Sequence, residues 1–335
     1  TNPNDGGSLR RRISRECSNF LDVHAETDDQ IARRINSLGI HVLINLFGFL
    51  DRERNTIAAY RPAPVQINHR WCSTTGANYT HWHVTDRIAS PPEFVSAYSE
   101  PLALLPHSYL PNDHATAYPL PSVPATDSHN LVLASLNNVY KIDQDIFDCW
   151  LRLLQGQQEA VLWIMDSFLS TQATRRLRHY AARNSLHDRV VVAPFASKGD
   201  HIRRNTEVDL FLDTWFINGH STAVDSLWAT SPVLTMARQR MASRVAASLV
   251  HALGMPSLVA RNEFDYEAIA TQLISRRHDL RRWRGRVASL RTSSPLFDAL
   301  TWVRDTERMH RMMWDIYSSG PQRRFPCLVV SSLWN

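Results

Sequence analysis

Short apolar runs alternate with amphipathic segments along the second half of the chain. The apolar runs have the length of buried strands and cover residues 131–136, 160–165, 189–195, 208–212 and 232–236. Segments with helical spacing of apolar residues lie near 143–155, 170–183, 198–204, 222–229 and 239–253. Continuous apolar strands that alternate with helices are typical of a parallel, doubly wound sheet. The pattern therefore predicts an α/β fold.

The first half shows a shorter α/β pattern, which lies between residues 1–12 and 112–129, two segments with no regular pattern of apolar residues. Thr27 begins a Thr-x-x-Gln capping box, and Gly39 stands where a helix C′ glycine belongs. The apolar run 41–46 predicts a buried strand, 52–60 a helix, and residues from Val65 and over 78–84 further short strands. Residues 112–129 are rich in proline and lack an apolar period, which indicates a linker. Residues 1–12 are predicted to be a disordered tail and 319–335 a loose one.

Composition narrows the class of protein. The chain has 335 residues, 44% hydrophobic and 21% charged, which predicts a globular protein of about two domains. No apolar run reaches the roughly 18 residues of a membrane span. The cysteines have neither paired spacing nor the density of a disulfide scaffold, which favours a reducing compartment.

Basic residues are almost all arginine. Of the 37 Lys and Arg residues only Lys141 and Lys198 are lysine, and both fall in loops that follow predicted strands. A lysine ammonium is a compact charge that suits single phosphates, whereas arginine is a planar fork. The net charge of +5 is mild for a nucleic-acid-binding protein.

Ligands of an open parallel sheet bind outside the carboxyl ends of its strands. The loop after 131–136 carries Asn137, Asn138 and Lys141, which could hold a phosphate or form an ordinary turn with a solvated lysine. The loop after 189–195 leads into His201 and Arg204, which share one helical face. An imidazole can pack on a base and an arginine can donate to its carbonyls, but a polar helix start explains this pair equally well.

The loop after 208–212 is the most informative of the three. Gly219 allows close approach of a diphosphate, and Ser221 and Thr222 stand where a helix begins. Free N–H groups at a helix N-terminus bind anions. Asp225, one turn further, suits ribose hydroxyls. Together the loops predict a nucleoside-diphosphate pocket, and the absence of GxxxxGK[ST] and GxGxxG in the sequence disfavours an ATPase or a dinucleotide enzyme.

Several phrases of this chain resemble the catalytic region of the nucleocytoplasmic O-linked N-acetylglucosamine (O-GlcNAc) transferases. They occur in the family's order over roughly residues 20–318: RPAPVQ (61–66), NNVYKID (137–143), DHIRR (200–204), NGHST (218–222), ASRVAAS (242–248) and SSPLFD (293–298). The resemblance implies the two-lobed GT-B fold, built from Rossmann-like lobes. It places a partial, truncated N-terminal catalytic lobe with its linker at 13–126 and the UDP-binding lobe at 127–318.

The resemblance also implies the function and the site. The chain would be a UDP-GlcNAc-dependent transferase that moves the sugar, with inversion, to Ser and Thr hydroxyls of proteins in the cytoplasm or nucleus. It would need no metal or other cofactor, and no membrane or nucleic-acid partner is expected. The implied UDP-binding residues are Asn138, Lys141, Ala196, Lys198, His201, Arg204, Gly219, His220, Ser221, Thr222 and Asp225.

Individual roles follow from the same resemblance. Lys141 would contact the diphosphate and stabilise the leaving UDP as the catalytic residue. His201 would pack on uracil, with Arg204 and the Ala196 backbone at its edge. Lys198 and Asp225 would hold the ribose, and residues 220–222 would bind phosphate.

Departures from the family leave alternatives open. The chain begins downstream of the family's first sugar-lobe motif, the tetratricopeptide repeats are missing, and 70–76 retains only the last glycine of a glycine-rich segment. Asn138 replaces a glutamine and Ile217 a cysteine. The chain could therefore be a catalytically impaired UDP-sugar-binding or protein-binding remnant. A protein O-fucosyltransferase is a further alternative, disfavoured by His201 and His220.

Two weaker signals have simpler explanations. The arginines of 276–286, which cluster with Trp283, would suit RNA, but the solvated face of an amphipathic helix explains them better. His81 and His83 alternate on a predicted strand, and no third metal ligand is placed beside them.

Overall fold

The computed structural model describes residues 3–50, 53–69, 72–119, 131–165, 171–320 and 327–331. The chain divides into two compact units. Unit 1 comprises Thr1–Thr85, Glu93–Leu104 and Glu307–Val330, and unit 2 comprises Asp86–Pro92, Leu105–Thr306 and Ser331–Asn335. The domain bounds 13–126 and 127–318 stay a prediction, because these units follow contacts rather than chain order.

The strands are β1 (Val42–Asn45), β2 (Val65–Asn68), β3 (Trp82–Asp86), β4 (Leu102–Leu105), β5 (Leu131–Ser135), β6 (Ala160–Met165), β7 (Val190–Ala193), β8 (Leu210–Leu212), β9 (Val233–Met236), β10 (Val259–Ala260) and β11 (Cys327–Val329). The α-helices are α1 (Ser8–Glu16), α2 (Asp28–Ser37), α3 (Asn55–Ala59), α4 (His114–Ala117), α5 (Gln144–Gly156), α6 (Thr171–Arg183), α7 (Lys198–Asn205), α8 (Ser221–Trp228), α9 (Val245–Ala252), α10 (Glu263–Ser275), α11 (Arg277–Leu290) and α12 (Ala299–Ser318).

Unit 1 contains a sheet with the strand order β1-β2-β3-β4-β11. The pairs β1–β2, β2–β3 and β4–β11 are parallel. Helix α2 begins where the capping box predicts, and the Thr27 N–H donates to Gln30 Oε1 at 3.0 Å. Gly39, just past this helix, has a φ of 64°, the left-handed conformation expected of a C′ glycine.

Two segments that we expected to be tails contain regular structure. Residues 8–12 belong to α1, whose Arg12 and Glu16 pair at 3.0 Å one turn apart, although none of its residues is buried. Residues 327–329 form β11, which pairs with β4 more than 200 positions earlier. A short strand whose partner is so distant has no local signal, so the sequence alone could not show it.

Unit 2 has the sheet order β10-β9-β8-β5-β6-β7, with parallel pairing throughout. The chain runs outward from β5 to β7, returns to pair β8 with β5, and then runs outward to β10. This is the doubly wound order, and its direction reverses between β5 and β8. The two parallel sheets flanked by helices confirm the predicted α/β class.

The core of unit 2 explains why its elements were predictable. All five residues of β5 are buried, and α5 packs its apolar face inward with Phe147 and Trp150 essentially inaccessible. Asp143 caps α5 by accepting the Ile146 N–H at 3.1 Å. The predicted helix at 239–253 is divided into a 3₁₀ turn, Met241–Ser243, and α9.

The buried carboxylate of Asp86 connects the first segment of unit 2 to the rest of that unit. Its carboxylate accepts the N–H groups of Ile88 at 2.9 Å, Ala89 at 2.7 Å and Tyr109 at 3.0 Å, and the Ser248 hydroxyl at 2.7 Å. Burial raises the pKa of Asp86, and these hydrogen bonds oppose the rise. The single carboxylate thus joins residues 86–89 to Tyr109 and to α9.

Arg244 reinforces the same junction. Its Nε donates to the Ile88 carbonyl at 2.7 Å and its Nη1 to the Arg238 carbonyl at 2.7 Å. Arg244 and Ser248 are the polar residues of the ASRVAAS phrase that make these contacts. The phrase therefore has a structural role in unit 2.

Replacing Asp86 by Ala should destabilise the protein by on the order of 3–5 kcal/mol, because three buried N–H groups and a hydroxyl would lose their acceptor. Ser248→Ala removes one of these bonds and should cost about 1 kcal/mol. Urea denaturation of both variants and the wild type measures the difference. Equal losses in the two variants would show that Asp86 is not the anchor.

Candidate functional site

The candidate site lies at the point where the strand order of unit 2 reverses. Because β5 and β8 are neighbours in a parallel sheet, the loops after them, 136–141 and 213–220, leave the same edge side by side. An open α/β sheet binds its ligands at such a reversal. The structure therefore brings together two of the three loops that the sequence singled out.

Asn137 joins these two loops. The side chain is inaccessible to solvent, and its Nδ2 donates to Asp213 Oδ1 at 3.1 Å and to Thr214 Oγ1 at 3.2 Å. Its Oδ1 accepts the Thr222 hydroxyl at 2.6 Å. One amide thus connects the end of β5, the end of β8 and the first turn of α8.

Asp213 fixes the loop before α8. Its Oδ1 accepts the Gly219 N–H at 2.6 Å and its Oδ2 accepts the Thr235 hydroxyl at 2.7 Å. Complete burial raises the pKa of Asp213 to about 6, against the effect of these hydrogen bonds and of the Lys141 charge. Asp213 is not among the residues predicted from the sequence, although a carboxylate directly after a buried strand is a usable signal.

Gly219 occupies a space without room for a side chain. An added Cβ would lie 3.0 Å from Thr222 Oγ1, 3.1 Å from Asn137 Oδ1 and 3.2 Å from Asp213 Oδ1. The close packing, rather than an unusual φ, is what requires glycine here. The backbone of the loop is accordingly held next to the Asn137 and Asp213 network.

Lys141 reaches the same loop from the opposite strand. It ends the 3₁₀ turn Val139–Lys141, and its Nζ donates to the Asn218 carbonyl at 2.8 Å. Asn218 is itself held, since its Nδ2 donates to the Thr214 carbonyl at 2.7 Å and its N–H to the Ala242 carbonyl at 2.8 Å. The ammonium is therefore placed one residue from Gly219.

The N-terminus of α8 points into this region. His220 is the N-cap residue, and its side chain does not cap the helix. Ser221 is exposed, while the Thr222 hydroxyl donates inward to Asn137. An ordinary Ser/Thr helix cap therefore does not account for these two hydroxyls. The first N–H groups of α8 and its positive dipole end are suited to an anion.

Asp225, one turn further along α8, gathers three basic side chains. Its carboxylate is 1% exposed. Lys198 Nζ donates to Oδ2 at 2.6 Å, His114 Nε2 lies 2.7 Å from Oδ1, and His201 Nε2 lies 3.7 Å from Oδ2. The loop after β7 is thereby joined to α8, as the predicted pocket requires.

His201 and Arg204 adjoin one another on α7. Arg204 Nη2 lies 3.3 Å from His201 Nδ1, and Arg204 Nη1 donates to the Pro194 carbonyl at 2.6 Å. Burial lowers the pKa of His201, although the Asp225 charge opposes the effect, so the ring is neutral at pH 7. Ala196, in the loop before α7, is partly exposed.

The predicted residues thus fall into two linked groups. Lys141, Gly219, His220, Ser221 and Thr222 lie at the ends of β5 and β8. The second group contains Lys198, His201, Arg204 and Asp225, connected by contacts between side chains, and α8 carries members of both groups. Asn138 is less well placed, since its Oδ1 is buried without a hydrogen-bond partner among the described residues.

His114 is a second residue that the sequence did not reveal. We expected residues 112–129 to be a linker, but α4 begins at His114, which is buried against Asp225; 120–129 fall outside the described residues. No periodic pattern surrounds His114, so only the distant contact reveals it.

Other sequence signals have structural explanations. Arg284 is buried and donates to Asp209 Oδ1 at 3.2 Å, so at least one arginine of 276–286 belongs to the core rather than to an RNA-binding surface. His81 Nδ1 accepts the Gln66 N–H at 2.8 Å, and His83 Nδ1 lies 2.9 Å from Asn68 Nδ2. In the part of the chain that the structure describes, no cluster of three or more metal-ligating side chains forms, and no helix is long and apolar enough for a bilayer.

The raised pKa of Asp213 predicts a dependence of stability on pH. Folded Asp213 holds its proton more tightly than the unfolded residue, so its contribution to the free energy of unfolding is largest below pH 3.8 and is lost as the pH rises to about 6. The difference in free energy of unfolding between the wild type and Asp213→Asn should fall through this window. Chemical denaturation on either side of it measures the difference, and a constant difference would contradict the assignment.

The chain matches a known protein family over most of its length. The model of glycosyl transferase family 41 matches residues 1–121 and 123–306. A protein of Arabidopsis thaliana, named a probable UDP-N-acetylglucosamine–peptide N-acetylglucosaminyltransferase SEC, is 35% identical over 95% of this chain and 34% of its own length. A UDP-N-acetylglucosamine–peptide N-acetylglucosaminyltransferase of Caenorhabditis elegans is 27% identical over 95% of this chain and 38% of its own length.

A solved structure resembles the chain over nearly its whole length. A mutant O-GlcNAc transferase of Thermobaculum terrenum has a TM-score of 0.83 and 25% identity, and the match covers 93% of this chain and 60% of that one. It confirms the predicted GT-B fold class. The chain spans about a third of the length of the curated relatives that it matches. With most of its residues matched by the family model, the chain belongs to glycosyltransferase family 41.

Proposed function

We propose that this chain binds UDP-N-acetylglucosamine where the strand order of unit 2 reverses, between β5 and β8, and transfers the sugar to Ser and Thr hydroxyls of proteins. The observation that carries the proposal is the meeting of Lys141, Gly219 and the uncapped N-terminus of α8 at the ends of β5 and β8. A cation, a closely approachable backbone and free N–H groups are what a diphosphate requires.

The diphosphate would lie between Lys141 and residues 219–222. In the transfer, the oxygen of an acceptor hydroxyl forms a bond to the anomeric carbon while the bond from that carbon to the β-phosphate oxygen breaks. The electron pair of the broken bond leaves with UDP, and the hydroxyl proton is released to water. Lys141 and the dipole of α8 stabilise the negative charge that develops on the leaving phosphate. No metal is needed for this step when a fixed ammonium and N–H groups supply the positive charge.

The nucleoside would extend from the diphosphate toward α7. His201, kept neutral by burial, offers a flat ring for uracil, with Arg204 and the Ala196 backbone at its edge. Lys198 and Asp225 would hold the ribose. The pocket would thus order phosphate, ribose and base along α8 and across to α7.

The donor, the acceptor and the cellular location rest on the family. The relatives in plant and nematode carry names that specify UDP-N-acetylglucosamine and peptide acceptors. His220 and His201 favour this donor over the fucosyl donor of the related O-fucosyltransferases. We propose a cytoplasmic or nuclear protein whose acceptors are other proteins.

A UDP-sugar-binding protein without transfer activity is the alternative. One observation in unit 1 favours it, in the segment that is rich in glycine in the family. There the Thr74 hydroxyl donates to Glu100 Oε2 at 2.5 Å, and the Thr75 N–H donates to Glu100 Oε1 at 2.7 Å. Threonines that hold a neighbouring carboxylate leave less freedom for a loop that would line a sugar. Calorimetry with UDP together with a transfer assay separates the two functions.

Lys141→Ala should lower the rate of transfer from UDP-GlcNAc to a Ser/Thr peptide by about 100-fold or more, because the leaving phosphate loses its fixed cation. Lys198→Ala is the matched control: it should weaken UDP binding by about tenfold and lower kcat less. Initial rates over a range of UDP-GlcNAc concentrations separate kcat from KM. Wild-type activity in Lys141→Ala would exclude the catalytic role.

Gly219→Ala should weaken UDP binding by about tenfold or more, because the added methyl group displaces the loop that receives the diphosphate. Gly285→Ala is the control, since a Cβ there meets nothing within 4 Å and alanine is favoured within a helix. Calorimetric titration of both variants with UDP tests this. Equal affinity in the two variants would place the diphosphate elsewhere.

A further inference from the structure

The two oxygens of Asp225 have partners of very different mobility. Oδ2 accepts the ammonium of Lys198, whose side chain is 42% exposed. Oδ1 meets Nε2 of His114, which is only 6% exposed. Since the carboxylate itself is 1% exposed, an incoming hydroxyl can reach it only by displacing a partner, and Lys198 is the partner that can move into solvent.

His114 packs in a cluster of aromatic rings that keeps it in place. Its ring centroid lies 5.5 Å from that of Tyr118, 6.2 Å from Trp228 and 6.1 Å from Phe297. Trp228 belongs to α8, the helix that carries Asp225, and Phe297 belongs to the SSPLFD phrase. Packing from the end of its own helix and from two distant segments fixes the ring relative to the carboxylate.

Two further hydrogen bonds hold the residues of this aromatic cluster in place. Asn112 Nδ2 donates to the Leu296 carbonyl at 2.7 Å, which joins the turn before α4 to the turn that carries Phe297. Arg291 donates through Nη1 to the Trp228 carbonyl at the end of α8. The SSPLFD phrase thus contributes to the support of His114.

The protonation of His114 follows from its surroundings. Nδ1 is buried without a hydrogen-bond partner in the described segments, whereas Nε2 faces a carboxylate oxygen at 2.7 Å. The ring therefore carries its proton on Nε2 and donates to Oδ1. A hydrogen bond to an ionised oxygen in a buried place is one of the stronger kinds.

We propose that His114 is the positioning residue for ribose recognition: it holds Oδ1 of Asp225 permanently, so that Oδ2 exchanges the Lys198 ammonium for a ribose hydroxyl. This inference rests on the proposed function, since it assumes a uridine nucleotide in the pocket. Without His114 the carboxylate can rotate about its side chain, and the hydroxyl finds no acceptor at a fixed place. His114 touches no substrate and acts through Asp225.

The test compares His114 variants with nucleotides that lack one ribose hydroxyl. His114→Phe fills the same space in the aromatic cluster but has no hydrogen-bond donor. His114→Gln keeps an N–H that can reach Oδ1 of Asp225. Each protein is titrated calorimetrically with UDP, 2′-deoxy-UDP and 3′-deoxy-UDP, and its thermal unfolding is recorded. A merely structural role would weaken the binding of all three nucleotides alike.

We expect the wild type to bind UDP about tenfold more tightly than the analogue without the hydroxyl that Asp225 accepts. In His114→Phe this preference should disappear, because affinity for UDP falls while affinity for that analogue stays the same. In His114→Gln the preference should persist. The signature is therefore a change in the ratio of two dissociation constants.

Three results would overturn the inference while nucleotide binding stands: a wild type without preference among the nucleotides, a preference that survives in His114→Phe, or its loss in a folded His114→Gln. The last of these remains decisive even if His114→Phe does not fold. A wild type that binds no UDP would instead refute the proposed function.

Discussion

The buried carboxylate of Asp213 is the interaction on which the candidate site depends. It lies at the end of β8 and receives the Gly219 N–H, the Asn137 amide and the Thr235 hydroxyl, which come from the loop ahead, the neighbouring strand and β9. A charge at this depth is costly, and burial accordingly raises the pKa of Asp213. The bond from the Gly219 N–H to Asp213 holds the loop directly before α8 in place. The proposed phosphate site would require such a fixed approach to the first N–H groups of the helix.

A second buried carboxylate, Asp225, has a different task and a different environment. Asp213 accepts from neutral donors on all sides, which suits a structural anchor. Asp225 accepts from one exposed lysine and one buried histidine. The same helix, α8, connects both carboxylates: its first turn adjoins the Asp213 network and its second carries Asp225. In the proposed complex, phosphate and ribose would lie along this short helix.

The phrases shared with the family acquire physical roles once their contacts are known. Arg244 and Ser248 of ASRVAAS bind Ile88 and Asp86, and Ala242 of the same phrase accepts the Asn218 N–H. Phe297 of SSPLFD supports His114. Only NNVYKID, DHIRR and NGHST supply side chains to the pocket loops. A resemblance in sequence thus combined residues that position the site with residues that form it, and the tertiary structure separates the two.

The sequence by itself predicted β5 to β9, α5 to α9 and the loops that follow these strands, because continuous apolar runs and helical periods are local patterns. Motif resemblance also predicted Lys141, His201 and Asp225 as site residues, and that assignment stays a prediction. Only the tertiary structure shows the contacts of His114, Asn137 and Asp213, and the existence of β11, because each depends on a partner between roughly 20 and 225 positions away. Hydrophobic periodicity shows which face of an element is buried, but it carries no information about which distant polar group meets it there.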